Sequence, residues 1–133
     1  MAIIEERKIE VDELTTRYLT AGEGPPLLLL HGAGVNAPDW LRVMPALARS
    51  HRVYAPDLPG SGGSAKPTAD YSPAFFARFV GAFLDALRID RAAVIGNSLG
   101  GLAGLRLSLS EPERVAAIGL VTAPASVGRS PTL

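Results

Sequence analysis

Cysteine is absent from the 133 residues of the chain, and histidine occurs only twice, as His31 and His51. Without cysteine the chain has no disulfide, no thiolate metal ligand and no cysteine nucleophile, a composition that fits a cytoplasmic protein. Neither histidine has a carboxylate at a spacing typical of metal ligands, so we expect no metal site. A histidine base could therefore only be His31 or His51.

An excess of one charge is also absent, because 13 basic side chains are balanced by 13 acidic ones. The chain has no basic run and no basic patch with interleaved aromatic residues, which argues against nucleic acid or an acidic membrane as a partner. The N-terminus lacks a signal-peptide pattern, and the longest aliphatic run, Leu27–Leu30, is too short to span a bilayer. We expect one soluble domain over residues 1–133 that takes a small apolar or uncharged ligand.

The most informative stretch is Val94–Gly101, in which an apolar run ends in Gly-x-Ser-x-Gly and a helix-like segment follows. A nucleophile elbow needs this context, because a buried strand turns sharply into a helix with a strained serine at the apex. Small residues two positions before and two positions after the serine avoid clashes in the turn. In this chain these residues are Gly96 and Gly100. The pattern predicts Ser98 as a nucleophile and the N–H of Leu99 as an oxyanion donor.

Other interpretations of these glycines are weaker. A phosphate-binding P-loop needs Lys and then Ser or Thr after Gly101, where this chain has Leu102 and Ala103. A dinucleotide fingerprint in Gly60–Ala65 is followed by Pro67, so no helix begins there to receive a pyrophosphate. The plain structural interpretation of Ser98 is a serine in an ordinary strand-to-helix turn.

Strands and helices are predicted to alternate after an opening hairpin. The hairpin strands are Arg7–Val11 and Leu14–Thr20, and the later strands are Pro26–Leu30, Arg52–Ala55, Ala92–Ile95 and Val115–Val121. The predicted helices are Ala37–Ser50, which Pro45 can shorten or kink, Pro73–Leu87 capped by Ser72, and Leu102–Ser110. Pro124–Leu133 has the composition of a disordered tail. This order predicts an α/β fold with a mostly parallel sheet, right-handed crossover helices and an amino-terminal antiparallel hairpin.

A second oxyanion donor has to come from another loop at the carboxyl end of the sheet. The loop after Leu30 is suitable, because its glycines let the chain turn tightly and the N–H of Ala33 can join that of Leu99. His31, beside glycines, is expected to brace backbone, whereas His51 precedes its strand and lies away from the serine. The residues expected to line the substrate site are His31, Gly32, Gly34 and Asn97.

Four motifs in order resemble the α/β-hydrolase superfamily: Leu27–Gly32, Asp57–Ser64, Gly96–Gly101 and Pro112–Val115. The likeness is greatest to the branch of serine esterases and carbon–carbon bond hydrolases of the meta-cleavage type, in which an Asn like Asn97 often precedes the nucleophile. The resemblance implies Ser98 as nucleophile, Ala33 and Leu99 as oxyanion-hole donors, and Asp57–Ser64 as a loop beside the site. Dehalogenase and epoxide-hydrolase relatives place Asp at the nucleophile position, and Ser98 argues against both.

The chain departs from this family after the nucleophile. Family members carry an acid and then a histidine on later loops, but no histidine follows His51, and the carboxylates after Ser98 are Glu111 and Glu113. We therefore expect a truncated α/β-hydrolase fold that lacks the carboxy-terminal strands, the lid and the catalytic histidine and acid.

The function that follows is a serine hydrolase of carboxylic esters or related acyl compounds, working through a Ser98 acyl-enzyme without a cofactor, and weakly in this chain. Two alternatives stay open: a non-catalytic module that binds a small ligand or a protein, and a fragment of a larger hydrolase. A further expectation concerns Val115–Val121, an apolar edge strand without a protecting charge, which should pair with a second copy to give a homo-oligomer.

Overall fold

The computed structural model describes residues 3–121, so the predicted tail at residues 124–133 lies outside the described residues. The six strands are β1 (Glu5–Val11), β2 (Leu14–Ala21), β3 (Pro26–Leu30), β4 (Arg52–Pro56), β5 (Ala92–Asn97) and β6 (Val115–Val121). The α-helices are α1 (Met44–Leu47), α2 (Pro73–Ala86) and α3 (Leu99–Ser110), and 3₁₀ turns occupy Ala37–Trp40 and Pro112–Arg114.

All six strands form one sheet in the order β1-β2-β4-β3-β5-β6. Strand β2 pairs antiparallel with β1 and with β4, whereas the β3–β4, β3–β5 and β5–β6 pairs are parallel. The predicted α/β class is therefore confirmed, with an antiparallel hairpin at one edge and parallel strands at the other. Because the strands β3, β4 and β5 are parallel, the loops that follow them meet at the same end of the sheet.

Helices cover both faces of this sheet, and the continuous apolar run of β3 is explained by that arrangement. Leu28 and Leu30 pack in the core beneath α2 and α3, while Leu27 and Leu29 pack in the core on the opposite face with Met44 of α1. All four leucines of the strand are buried. The strand that leads into the loop at residues 31–34 is therefore held from both sides.

Helix α2 forms where the sequence predicts it. Its N-cap is Ser72, whose Oγ accepts a hydrogen bond from the N–H of Phe75 at 3.1 Å, and Pro73 fills the first helical position, where no N–H is needed. Phe79 and Phe83 stack with ring centroids 6.0 Å apart and lie in the core. The phenylalanines Phe76, Phe79 and Phe83 of α2 are thus part of the core.

The single crossover helix predicted for Ala37–Ser50 is wrong. The chain instead forms the 3₁₀ turn Ala37–Trp40 and then the one-turn helix α1, with a break between them. Pro45 explains the break, because a proline inside a helix has no N–H to donate and clashes with the carbonyl four residues earlier. Pro45 stands instead in the first turn of α1, where proline is tolerated.

Within residues 3–121, the helices are too short or too polar to cross a lipid bilayer.

Candidate active site

Ser98 stands at the sharp turn between β5 and α3. Its backbone has φ 55° and ψ −116°, a region that L-amino acids with a side chain rarely enter. The side chain is partly exposed, and the residue follows the carboxyl end of a central parallel strand. Ser98 is thus the apex of a strained strand-to-helix turn, as the sequence predicts.

Two glycines make this turn possible. A Cβ on Gly96 would lie 2.5 Å from the carbonyl oxygen of Gly100, and a Cβ on Gly100 would overlap the carbonyl oxygen of Leu30. The backbone before and after Ser98 is therefore packed too closely for any side chain. Helix α3 begins directly at Leu99, three residues before its predicted start at Leu102, because the turn occupies a single residue.

The loop after β3 packs against the serine. A Cβ on Gly32 would lie 3.2 Å from the Cβ of Ser98 and 3.3 Å from the carbonyl oxygen of Asn97, so a side chain there would require its neighbours to move by a few tenths of an ångström. Ala33 and Gly34 form the exposed tip of the turn, and Gly34 has a positive φ of 80°. The loop and the elbow thus form one surface at the end of the sheet.

The backbone donors at the elbow have different partners. The N–H of Ser98 donates to the carbonyl of Val121 on β6 at 3.3 Å, which ties the elbow to the edge strand. The N–H of Leu99 belongs to the first residue of α3, and the first N–H groups of a helix have no acceptor inside the helix. The positive end of the α3 dipole is therefore at the serine.

His31 is buried and both of its ring nitrogens are engaged. Its Nε2 accepts the N–H of Leu58 at 2.9 Å, so the proton of the neutral ring is on Nδ1, which donates to the carbonyl of Gly32 at 2.7 Å. Burial lowers the pKa of His31, and this effect exceeds the opposing influence of the Gly32 carbonyl and of nearby carboxylates. The ring therefore braces two loops and stays neutral.

His51 lies at the other end of the sheet. It precedes β4 at the amino end of that strand, and its Nδ1 is 2.9 Å from the hydroxyl of Ser50. Neither of the two histidines in the chain is thus placed to take a proton from Ser98.

Asp57, on the loop after β4, is an organising residue whose role the sequence did not indicate. Its fully buried carboxylate accepts hydrogen bonds from the Nε of Arg17 at 2.6 Å, the N–H of Ala37 at 2.7 Å and the N–H of Gly63 at 2.8 Å. Burial alone would raise the pKa of Asp57, but the hydrogen bonds from Arg17 and the two backbone N–H groups together lower it. The available signal was Arg17, the only charged residue of strand β2.

Two cavities open at this end of the sheet. The larger, of about 470 Å³, is lined by residues 34–36 and 60–62 together with Asp39. The smaller, of about 110 Å³, is lined by His31, Asp39, Trp40, Asn97 and Val121. Of the residues predicted to line the substrate site, His31 and Asn97 thus border the smaller cavity, Gly34 borders the larger one, and Gly32 contacts Ser98.

In the part of the chain from residue 3 to residue 121, acidic and histidine side chains do not gather in a group of three that could hold a metal ion.

Known proteins resemble this chain in both sequence and structure. Residues 25–131 match the family described as the alpha/beta hydrolase fold. The 2-hydroxy-6-oxo-6-(2'-aminophenyl)hexa-2,4-dienoic acid hydrolase of Metapseudomonas resinovorans is 39% identical over 120 residues, which are 87% of this chain and 41% of that protein. The pimeloyl-(acyl-carrier protein) methyl ester esterase of Aeromonas hydrophila is 44% identical over 97 residues, 71% of this chain and 36% of that protein.

A solved structure also resembles this chain. A serine hydrolase involved in carbazole degradation superposes with a TM-score of 0.85 and 37% sequence identity, over 90% of this chain and 48% of that one. The chain spans about two-fifths of the length of the curated relatives it matches.

Proposed function

Because the chain belongs to the α/β-hydrolase fold family, we propose that it carries the nucleophile of a serine hydrolase acting on carboxylic esters or related acyl compounds. The observation that carries the proposal is the backbone of Ser98, held at φ 55° between β5 and α3 by two glycines that leave no room for a side chain. An ordinary turn serine would not need this strain, which is retained mainly where it serves a function.

In the proposed reaction, the Oγ of Ser98 bonds to the carbonyl carbon of the substrate while its proton leaves to an acceptor. The carbonyl oxygen becomes an oxyanion, which the N–H groups of Leu99 and Ala33 stabilise by hydrogen bonds. Collapse of this intermediate breaks the ester bond, and the departing alkoxide takes a proton. Water then hydrolyses the acyl-enzyme to release the acid, and no cofactor takes part.

Proton transfer limits the rate of this chain. Both nitrogens of His31 already have partners, and His51 lies at the other end of the sheet. When a triad member is missing, about 10³–10⁴-fold catalysis over water remains from the oxyanion hole and binding. We therefore propose that residues 1–133 alone turn over activated esters slowly, and that a base from outside these residues would raise the rate.

A second candidate reaction uses the same nucleophile and oxyanion donors on a carbon–carbon bond next to a carbonyl. The 39% identity to a hexadienoic acid hydrolase favours it. Under both reactions we propose a small apolar or uncharged substrate. The absence of cysteine supports a cytoplasmic location, which is also part of the proposal.

Turnover measurements test the reaction class. Activated aryl acetates should be hydrolysed slowly and their alkyl counterparts not at all, and Ser98→Ala should abolish the activity. Ser61→Ala is the matched control, because Ser61 borders the larger cavity and has no role in the proposal. Equal rates in the parent and in Ser98→Ala would contradict the hydrolase and favour a non-catalytic binding module.

A further inference from the structure

His31 is connected to the proposed oxyanion donor, Ala33, through a single peptide group. The Nδ1–H of His31 donates to the carbonyl of Gly32 at 2.7 Å, and that carbonyl belongs to the same peptide group as the N–H of Ala33. Every peptide bond within residues 3–121 is trans, and the C=O and N–H of a trans peptide point in opposite directions. The hydrogen bond from His31 therefore also sets the direction of the Ala33 N–H.

This peptide group lies beside Ser98, with its N–H on the open side of the loop. A Cβ added to Gly32 would lie 3.2 Å from the Cβ of Ser98, so the peptide is next to the proposed nucleophile. The ring of His31 is buried and Ala33 is exposed, so an N–H that points away from the ring points out of the core. Within residues 3–121 this N–H has no hydrogen-bond acceptor, which leaves it free to bind a substrate oxygen.

Side chains of the loop do not fix this orientation, because two of the loop residues are glycines. Gly32 has no Cβ to hinder rotation of its carbonyl, and a Cβ added to Gly34, which has a positive φ of 80°, would meet nothing within 4 Å. The ring of His31 is held more firmly, because its Nε2 accepts the N–H of the buried Leu58. The ring therefore links the loop that Asp57 anchors to the peptide that carries the donor.

We propose that His31 is a positioning residue of the oxyanion hole, which holds the peptide between Gly32 and Ala33 so that the N–H of Ala33 is directed at the substrate oxygen. This inference rests on the proposed function, in which Ala33 is an oxyanion donor. The role requires the Nδ1–H of His31 and involves no proton transfer. The bond between Nε2 and Leu58 holds the ring but does not contact this peptide.

Two substitutions of His31 separate the two hydrogen bonds of its ring. Asparagine carries its amide at the δ position and can donate to the carbonyl of Gly32, as Nδ1 does. Glutamine carries its amide at the ε position and can accept the N–H of Leu58, as Nε2 does. Each variant therefore loses one hydrogen bond of the ring, but only His31→Gln loses the one that orients Ala33.

The rate at which a fluorophosphonate modifies Ser98 measures the effect. Loss of one oxyanion donor costs about 10²–10³-fold in rate, so His31→Gln should react at least about tenfold more slowly than the parent and His31→Asn within about threefold of it. With an activated aryl acetate the decrease should appear in kcat and not in KM, because the donor binds an oxyanion that forms only in the transition state. His51→Gln, the same change at the other end of the sheet, should match the parent. Urea titrations establish that each variant is folded in the assay.

Two further measurements test the same step without a change at His31. Proline has no N–H, so Ala33→Pro should react as slowly as His31→Gln. Combining the two substitutions should slow the reaction no further than either alone, since both remove the same interaction. Nitrogen NMR of the parent should show the imidazole proton of His31 on Nδ1, and this measurement needs no variant.

The outcomes distinguish this inference from the proposed function. Equal rates in His31→Gln and His31→Asn, parental rates in Ala33→Pro, or an imidazole proton on Nε2 would each overturn the inference, while labelling of Ser98 in the parent would still support the hydrolase. A folded parent that is not labelled at Ser98 would overturn the proposed function and the inference with it.

Discussion

The carboxylate of Asp57 and the guanidinium of Arg17 form an ion pair, with Oδ2 and Nε 2.6 Å apart, although the residues are 40 positions apart in the chain. The same carboxylate accepts the N–H groups of Ala37 and Gly63. One buried side chain therefore connects the opening hairpin, the end of the β3 loop and the glycine loop that borders the larger cavity. We infer that this pair holds the walls of the candidate site in place.

Removing the charge of Asp57 is expected to destabilise the fold strongly. Asp57→Asn keeps the size of the side chain but leaves the mostly buried Arg17 without its partner, at an expected cost of about 2–4 kcal/mol in the free energy of unfolding. Urea denaturation measures this change. Glu6→Gln, which affects only the exposed 3.9 Å contact with the same arginine, should cost less than about 0.5 kcal/mol. Similar small losses in both variants would contradict the role given to Asp57.

His31 should make the stability of the protein depend on pH below neutrality. The pKa of His31 is lowered in the folded state. Its contribution to the free energy of unfolding is therefore complete above the ordinary pKa of 6.5, and it is lost as the pH falls through the lowered pKa. Protonation of Nε2 would place an N–H against the N–H of Leu58. Urea midpoints measured from about pH 8 to about pH 5 should therefore fall in the parent.

His31→Gln should reduce that decrease, because the amide oxygen of glutamine can accept the same N–H without titrating in this range. The control His51→Gln should keep the parental pH dependence, since His31 is intact in it. A parental midpoint that does not change across this range would contradict the account. Asp57 adds a second loss at lower pH, which begins near its ordinary pKa of 3.8 and continues as the pH falls through its lowered value.

The close packing at the elbow predicts a large difference between two glycine substitutions. Gly100→Ala would push a methyl group into the carbonyl of Leu30, and we expect a loss of about 3 kcal/mol or more in unfolding free energy. Gly119→Ala on β6 meets only an ordinary contact of 3.6 Å with the Cγ1 of Ile95 and should cost less than about 1 kcal/mol. Denaturant titrations of both variants measure these losses, and equal losses in unfolding free energy would contradict the elbow geometry.

Self-association through β6 is predicted because this strand lies at the edge of the sheet. Among residues 3–121 the strand has one neighbour, β5, and its exposed side chains are Ala116, Ala117, Leu120 and Val121, none of which is charged. Sedimentation velocity at micromolar concentration should show a homo-oligomer. Leu120→Lys should give a monomer, whereas Leu109→Lys, the same change at a more exposed leucine on α3, should not. A monomeric parent would contradict the prediction.

Local patterns were sufficient to predict the framework of the site. The apolar run of β3 and the Gly-x-Ser-x-Gly turn after β5 can each be recognised from a few consecutive residues. The predicted parallel strands and their order along the chain are confirmed. Pro45 also signalled locally that the helix after β3 could be shortened or kinked, and the structure has a break between Trp40 and Met44.

Long-range relationships were not predictable in this way. The pairing of Arg17 with Asp57 depends on the antiparallel register of β2 with β4, which brings Tyr18 opposite Pro56, and the sequence does not fix that register. The larger cavity likewise depends on how the 3₁₀ turn packs beside the loop at residues 60–62. Such contacts arise only once the sheet has formed.

The central claim is that Ser98 is a reactive nucleophile presented by the elbow. Intact-mass analysis followed by peptide mapping after prolonged incubation with a fluorophosphonate tests it most directly. We predict one slowly formed adduct, located on Ser98, in the parent and in Ser61→Ala, and none in Ser98→Ala. A folded parent that remains unmodified, or equal labelling of Ser98→Ala, would contradict the claim.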